Sequence, residues 1–385
     1  MKSLNRHLTR FLSVPAFLII FLFLFDIVSK SFIIIDNVDI ANMDGFFYER
    51  KNSMDVVLMG QSEIYMGYAP GLAWEEYGIK SINFSIGRFP CNQYVSMLKE
   101  IEKRQHPKLL VVNATAFLHG DENITDESLL TKWVDNLPFS SNKTETIETT
   151  LPESMRDYTT FPIVKYHGNW KYPKNLLTSF LLRSHLRINH GGYLKGYYTQ
   201  SSVTGGKENL AKLGYPTFQN YFLTDLCKKY FIEFLDECKS LNIENMLVLV
   251  PPHQTDTGKT DGITEIQDLA KQYGYDLLDL HNNYSIAGID DAKDFADFEH
   301  LNIYGAQHFT SYLAKYMCDN YDVKSATTDS QKAKWDECAK KTHEVIDMSE
   351  ESIKQNVTIG YGEFNIMPTI QDYNKLKNVL KRSNN

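Results

Sequence analysis

Five short apolar runs, separated by stretches of helical periodicity, constrain this chain more than any other feature. They are MDVVLMG at 54–60, the centre of IKSINFSIG at 79–87, PKLLVVNATAF at 107–117, NMLVLVPP at 245–252 and YDLLDLH at 275–281. Most are rich in Val, Ile and Leu without strict alternation, as in strands buried on both faces. Between them, residues 62–78 read as an interrupted helix or two short ones. Residues 92–104, 218–242, 263–274 and 303–321 read as helices. The alternation predicts an α/β protein, a three-layer sandwich whose central, mostly parallel sheet is covered by helices.

One interval breaks the rhythm. Residues 118–217 are rich in Thr, Asn, Gly, Tyr and His and predict an insertion over the sheet, with a local helix at 176–188 and a solvated loop at 140–150. Past residue 323 the composition turns charged; a helix near 330–345 and an amphipathic end near 371–381 are expected. The start of the chain differs again. Residues 11–35, FLSVPAFLIIFLFLFDIVSKSFIII, are long enough as a helix to cross a bilayer. Asp26 and Lys30 interrupt the run four residues apart, a spacing that lets them pair. Lys2, Arg6 and Arg10 precede it while Asp36, Asp39 and Asp44 follow, so the amino end should stay in the cytoplasm and the bulk of the chain outside. With no convincing small-x-small cleavage site, an uncleaved single-pass anchor is expected rather than a removed signal peptide. The division is then a short cytoplasmic end plus anchor at 1–36, an extracytoplasmic domain at 37–322 entered through a linker of about twenty residues, and a charged extension at 323–385.

The net charge of −8 and the lack of a dense Lys/Arg cluster argue against nucleic acid. Five cysteines without a CxxC spacing give no support for a zinc or redox site, and an odd, sparse set argues against a disulfide framework. No close cluster of metal ligands is visible, and no cofactor is expected.

In open sheets of this kind, ligands gather beyond the carboxyl ends of the strands. Ser62 follows the first run, Gly87 the second, Asn113 ends the third, and His253 follows the fourth. Far along the chain, FADFEHLNIYGA at 295–306 holds Asp297 and His300 three residues apart, a spacing that puts both on one side of a helical turn. A serine hydroxyl needs a neighbouring base, and an imidazole needs an orienting carboxylate. Ser62, His300 and Asp297 supply those three roles, with Asn302 suited to cap the helix that follows. Taken alone, a serine after a strand is as readily a helix cap, and an Asp-x-x-His pair is more often a surface pair. Ser85, close to Gly87, is a less favoured nucleophile because it does not follow the first strand.

GQSE with Ser62, NFSIG with Gly87, and DFEHLN with Asp297 and His300 resemble the blocks of the SGNH (GDSL-like) hydrolase superfamily. The resemblance is closest to its membrane-anchored branch, which includes the DltD proteins of teichoic acid D-alanylation and AlgJ/AlgX-like polysaccharide acetylation proteins. YHGNWK at 166–171 and KGYY at 195–198 are similar to the middle region of such proteins, and the likeness extends over about 1–322. It departs from the pattern at Gly60-Gln61-Ser62, where GDS or GSS is usual, and at VVNATAF, where a Gly-x-Asn-Asp setting is usual. The resemblance implies an SGNH-like, flavodoxin-like fold and a serine acyl-enzyme mechanism. Ser62 would be the nucleophile, His300 the base and Asp297 its orienter, and the oxyanion would be bound by the N–H groups of Ser62 and Gly87 and the side chain of Asn113. It further implies O-acylation, with acetyl expected, of a cell-surface or exported glycan or a teichoic-acid-like substrate, and an acyl-delivering multi-pass membrane O-acyltransferase as partner. An extracytoplasmic carboxylesterase or deacetylase of the same fold, and a non-catalytic scaffold partner, remain open alternatives. His253 at the rim and His167 and Trp170 in the insertion are further candidates for substrate contact.

Overall fold

The computed structural model describes residues 2–367; the amphipathic end expected near 371–381 lies outside them. Five strands form the central sheet: β1 (Val56–Gly60), β2 (Ser81–Ser85), β3 (Leu109–Asn113), β4 (Met246–Val250) and β5 (Asp276–Asp279). Their spatial order is β2-β1-β3-β4-β5, and every pairing is parallel. All residues of β1 to β4 are buried, the state their unbroken apolar character predicts. Alternate residues feed two cores. Val57, Met59, Leu110 and Val112 join one cluster, while Val56, Leu58, Leu109 and Val111 join the other. Edge strand β5 is only partly buried.

The interrupted segment after β1 is two helices, Ser62–Gly67 and Pro70–Tyr77, with Pro70 at the start of the second. The first is short because a break at Tyr68–Ala69 turns the chain. Ala69 N–H donates to Thr310 Oγ1 at 2.8 Å. That bond ties the turn to the helix Ile303–Asn320, which carries the chain away from the Asp-His block.

Three expectations for the less regular regions need correction. Residues 37–56 are no slack linker. Asn37 caps a helix, Val38–Tyr48, in which Ile40, Met43 and Phe46 are buried, and Phe46 stacks on Phe84 of β2 with ring centroids 3.7 Å apart. The tract at 140–150 is a helix, Ser141–Thr150, capped by Ser140. Its polar composition conceals a buried face, because Asn142 donates to Ser96 O (3.0 Å) and Glu100 (3.1 Å), and Thr146 donates to Ser96 Oγ at 2.6 Å. The charged extension holds a longer helix than expected, Asp329–Lys354, started by a Thr328–Gln331 capping box. It lies against Pro70–Tyr77, where Trp335 stacks on Trp74. Beyond it, the Glu363 carboxylate accepts the N–H groups of Tyr193 and Leu194. The insertion itself is mostly helical, and its Leu130, Trp133, Ile147, Leu182 and Leu186 belong to the same core as β1 and β3.

The first helix, Lys2–Ser31, holds one span, Ser13–Ser31, long and apolar enough to cross a membrane: its mean hydropathy is 2.0 and 6% of it is buried. Asp26 and Lys30 do pair, at 3.6 Å. They sit near its carboxyl end, where the rest of the chain partly covers them.

Candidate functional site

The order β2-β1-β3 reverses direction in sequence around β1, and such a switch opens a crevice at the carboxyl ends of the strands. Ser62 stands at that point, two residues past β1, as the first residue of its helix. Gly60 makes the turn with φ at +148°, and a Cβ there would lie 2.4 Å from Cβ of Asn113. Only glycine lets β3 come this close.

The Asp-His block reaches Ser62 across the top of the sheet. His300 Nε2 lies 2.8 Å from Ser62 Oγ, and His300 Nδ1 lies 2.9 and 2.8 Å from the two oxygens of Asp297. Asp297 also accepts the N–H groups of Glu299 (3.0 Å) and His300 (2.9 Å), so the carboxylate shapes the turn that carries its partner. Asn302 caps the next helix through Tyr304 N–H and Gly305 N–H, and its amide donates to Ser202 O and Lys293 O. With the imidazole neutral, Nδ1–H donates to Asp297 and Nε2 accepts the Ser62 hydroxyl proton. Burial favours the neutral ring, but the hydrogen bond and charge of Asp297 outweigh it and hold the His300 pKa at about 9. Asp297 is buried too, which alone would raise its pKa, yet His300 and the two N–H donors hold it below the usual carboxylate range.

The side of Ser62 that faces Gly87 and Asn113 is built differently. Gly87 is not an open donor: its N–H donates to Asp39 Oδ1 at 2.8 Å. Asp39 comes from the helix Val38–Tyr48, and Lys132 Nζ holds it by contacting Asp39 Oδ2 (2.6 Å) and Gly87 O (3.2 Å). A Cβ on Gly87 would sit 3.2 Å from the Tyr65 hydroxyl and 3.4 Å from Asp39 Oδ1, so those two side chains share the space in front of the glycine. The expectation that Gly87 supplies a donor is corrected to this extent, because a carboxylate has taken its hydrogen bond. Asn113 presents the opposite case. Its Oδ1 accepts Thr115 N–H (2.8 Å), which fixes which end of the amide is nitrogen. The buried Nδ2 then has no partner. Ser62 N–H, at the first position of a helix, has no helical carbonyl to meet.

Several residues here escaped the sequence reading. Glu63 is buried beside Ser62, and Thr115 Oγ1 lies 2.7 Å from its Oε1. Burial pushes its pKa up, but nearby His253, His300 and Thr115 keep it a carboxylate, below its usual range. His253 is not on an open rim: it is fully buried, its Nδ1 is 2.5 Å from the Tyr221 hydroxyl and its Nε2 is 3.8 Å from Glu63. That last separation is too long for a hydrogen bond. Glu299, between the two Asp-His residues, is raised by its own burial and by the charge of Glu63. The acidic residues next to Ser62 and His300 were the available signal. The insertion candidates lie elsewhere. His167 is exposed and meets Val164 O at 2.9 Å; Trp170 is 64% exposed on the turn whose Asn169 donates to Phe32 O, past the end of the first helix. Ser85 ends β2 with its hydroxyl buried and unpartnered. Among the described residues, no group of three or more His, Cys, Asp or Glu side chains could hold a metal ion.

Such an arrangement can pass a proton from a serine hydroxyl to an imidazole and stabilise the charge left behind. Compared with known proteins, the chain matches no family model and no curated sequence.

Proposed function

We propose that this chain is a membrane-tethered serine acyltransferase of SGNH-like, flavodoxin-like fold. It would move an acyl group, acetyl being the one expected, onto a hydroxyl of a cell-surface or exported glycan. The observation that carries the reading is the 2.8 Å contact between Ser62 Oγ and His300 Nε2, with Asp297 on the far nitrogen. The strand order supports the fold assignment, since β2-β1-β3-β4-β5 is the flavodoxin-like sequence of strands.

His300 Nε2 takes the Ser62 proton as Oγ attacks the carbonyl carbon of an ester or thioester. The oxyanion accepts from Ser62 N–H and Asn113 Nδ2. As the tetrahedral intermediate collapses, the bond to the leaving alcohol or thiol breaks, and His300 returns the proton to that group. An acceptor hydroxyl then gives its proton to His300 and attacks the acyl-serine; the bond from the acyl carbon to Oγ breaks, and His300 passes that proton to Oγ, which restores Ser62. A span that keeps the catalytic bulk outside the cell separates it from cytosolic acyl-CoA. The acyl group must then be delivered across the bilayer, the task assigned here to a multi-pass membrane O-acyltransferase.

The test is labelling of the purified full chain with a serine-reactive fluorophosphonate, at a pH above 9. The wild type should label, while Ser62→Ala and His300→Ala should lose the label. Equal labelling of all three would sink the assignment of nucleophile and base.

A further inference from the structure

We propose that the helical insertion, through the surface formed by residues 139–180, is seated in the outer face of the bilayer that the first helix crosses. The proposal rests on reading Ser13–Ser31 as a membrane span. It adds a second contact with lipid, made by the folded domain itself.

The chain between the span and the insertion has no slack. At the end of the first helix, Ser29 Oγ accepts Ile163 N–H at 2.9 Å, and Asn169 Nδ2 donates to Phe32 O at 2.8 Å. Arg183 Nη1 donates to Ile33 O, and Ile35 N–H donates to Ser179 Oγ, both at 2.8 Å. The backbone leaving the span is held at every step by the insertion, so the height of the insertion above the bilayer follows from that of the helix.

That height is low. Nineteen helical residues rise roughly 28 Å, close to the roughly 30 Å hydrocarbon core. If Ser31 marks the outer boundary, Phe25, six residues earlier, lies about 9 Å inside it at 1.5 Å per residue. Phe161 meets Phe25 edge-on with ring centroids 5.2 Å apart, and Phe139 stacks on Phe161 at 5.7 Å. A group touching Phe25 from the side is therefore at acyl-chain depth.

The exposed side chains of these segments match that position. Phe139 (55%), Val164 (52%), Trp170 (64%), Tyr172 (57%), Leu177 (45%) and Phe180 (60%) are large, apolar or amphipathic, and open. They continue the open apolar face of the span itself, where Phe17, Ile19 and Leu24 are more than half exposed. Trp and Tyr at the level of Phe32, with Lys171 and Lys174 beside them, have the composition of an interfacial belt. A cavity of about 270 Å³ where the helix leaves the bilayer is lined by Lys30, Arg104, Arg183 and Arg187 against Asp26 and Asp44. Lys30 pairs with Asp26, Arg183 with Asp44 and Arg104 with Glu100, which leaves Arg187, held only by Tyr48 among the described residues, as the cation suited to a lipid phosphate. Trp170, a candidate for stacking on sugar, becomes a lipid contact.

The test uses the full chain in nanodiscs of phosphatidylcholine and phosphatidylglycerol, with and without bromine on the acyl chains. Bromolipid should quench a part of the tryptophan emission that is missing from Trp170→Phe, since Trp133 and Trp335 are buried and the partly buried Trp74 is held on Trp335 and Asp336, against the helix Asp329–Lys354. Phe180→Glu, exposed and placed at the cavity beside the end of the first helix rather than at Ser62, should reduce that quenching while leaving fluorophosphonate labelling unchanged. If the chain stays in the discs through alkaline extraction but wild type and Trp170→Phe are quenched alike, the docking surface is refuted and the span stands. If alkaline extraction strips the chain from the discs, the reading of the span fails, and the docking surface with it.

Discussion

Ser62 has two neighbourhoods, and they are in different states. Towards His300 every bond is made: Oγ to Nε2, Nδ1 to a carboxylate, and that carboxylate to two backbone N–H groups. Towards Gly87 the bond is made with a carboxylate, which the proposed reaction would need to be absent. A carboxylate from the helix that follows the span holds the N–H that an oxyanion would need, and one buried amide, Asn113 Nδ2, has nothing to hold. On the proposed reading, the hydrogen bonds of the relay are assembled before substrate arrives and His300 becomes a base once its proton is lost; the oxyanion would be left to Ser62 N–H and Asn113 unless Asp39 withdraws. Preorganised donors matter because charge appears there only in the transition state.

The comparison can be broken first where it is strongest. Ser62→Ala and His300→Ala should each lower acyl transfer by about 10⁴-fold or more, because the two act as a unit. Single-turnover rates with an aryl ester would measure this, and a double variant should be little worse than either single one.

Asp297→Asn comes next, with a loss of roughly 10³–10⁴-fold. It should also move the pH profile. His300 with a pKa of about 9 is protonated at neutral pH, so kcat/KM should climb as pH rises through about 9. Without the carboxylate, that limb should move to lower pH while the ceiling falls. The same shift has a stability consequence. Protonated His300 stabilises the fold fully below the unfolded value of about 6.5, and this contribution fades as pH rises through the folded value of about 9. Thermal melts of wild type and Asp297→Asn should converge on the alkaline side if this is right.

Asn113→Ala should cost roughly 10²–10³-fold in kcat, about 3 kcal/mol of oxyanion stabilisation, with little change in KM. A KM effect alone would move Asn113 from the reaction to ground-state binding.

The smallest effect should carry the opposite sign. Asp39→Ala releases Gly87 N–H and removes a negative charge from beside the developing oxyanion, so kcat should rise by a few-fold. Asp39→Asn keeps an acceptor on Gly87 and should give less of the gain. A fall in both would mean that Asp39 and Lys132 serve to hold Gly87 in position, and the contrast between the two sides would disappear.

How far these features were legible depended on range. The strand runs could be read because a doubly buried strand must be apolar throughout, whatever surrounds it. Asp297, His300 and Asn302 were legible because a turn and its cap are local. Asp39 was not: as a charged residue just past an apolar run, it read only as part of the acidic flank that sets the orientation of the span. Its meaning comes from Lys132 and Gly87, one in the insertion and one after β2. The helix at 141–150 escaped for a related reason, since its polar face is satisfied by Ser96 and Glu100 on another helix.

The amino-acid sequence by itself determined the α/β alternation, the apolar span at the start, and which residue types stand at the ends of the strands, because periodicity and capping act within a few residues. Tertiary structure alone decided that His300 meets Ser62 across 238 positions, that Asp39 takes the hydrogen bond of Gly87, and that His253 is buried behind Glu63. Hydrogen-bond partners and burial are properties of neighbours in space, and those neighbours come from segments that only the folded sheet brings together.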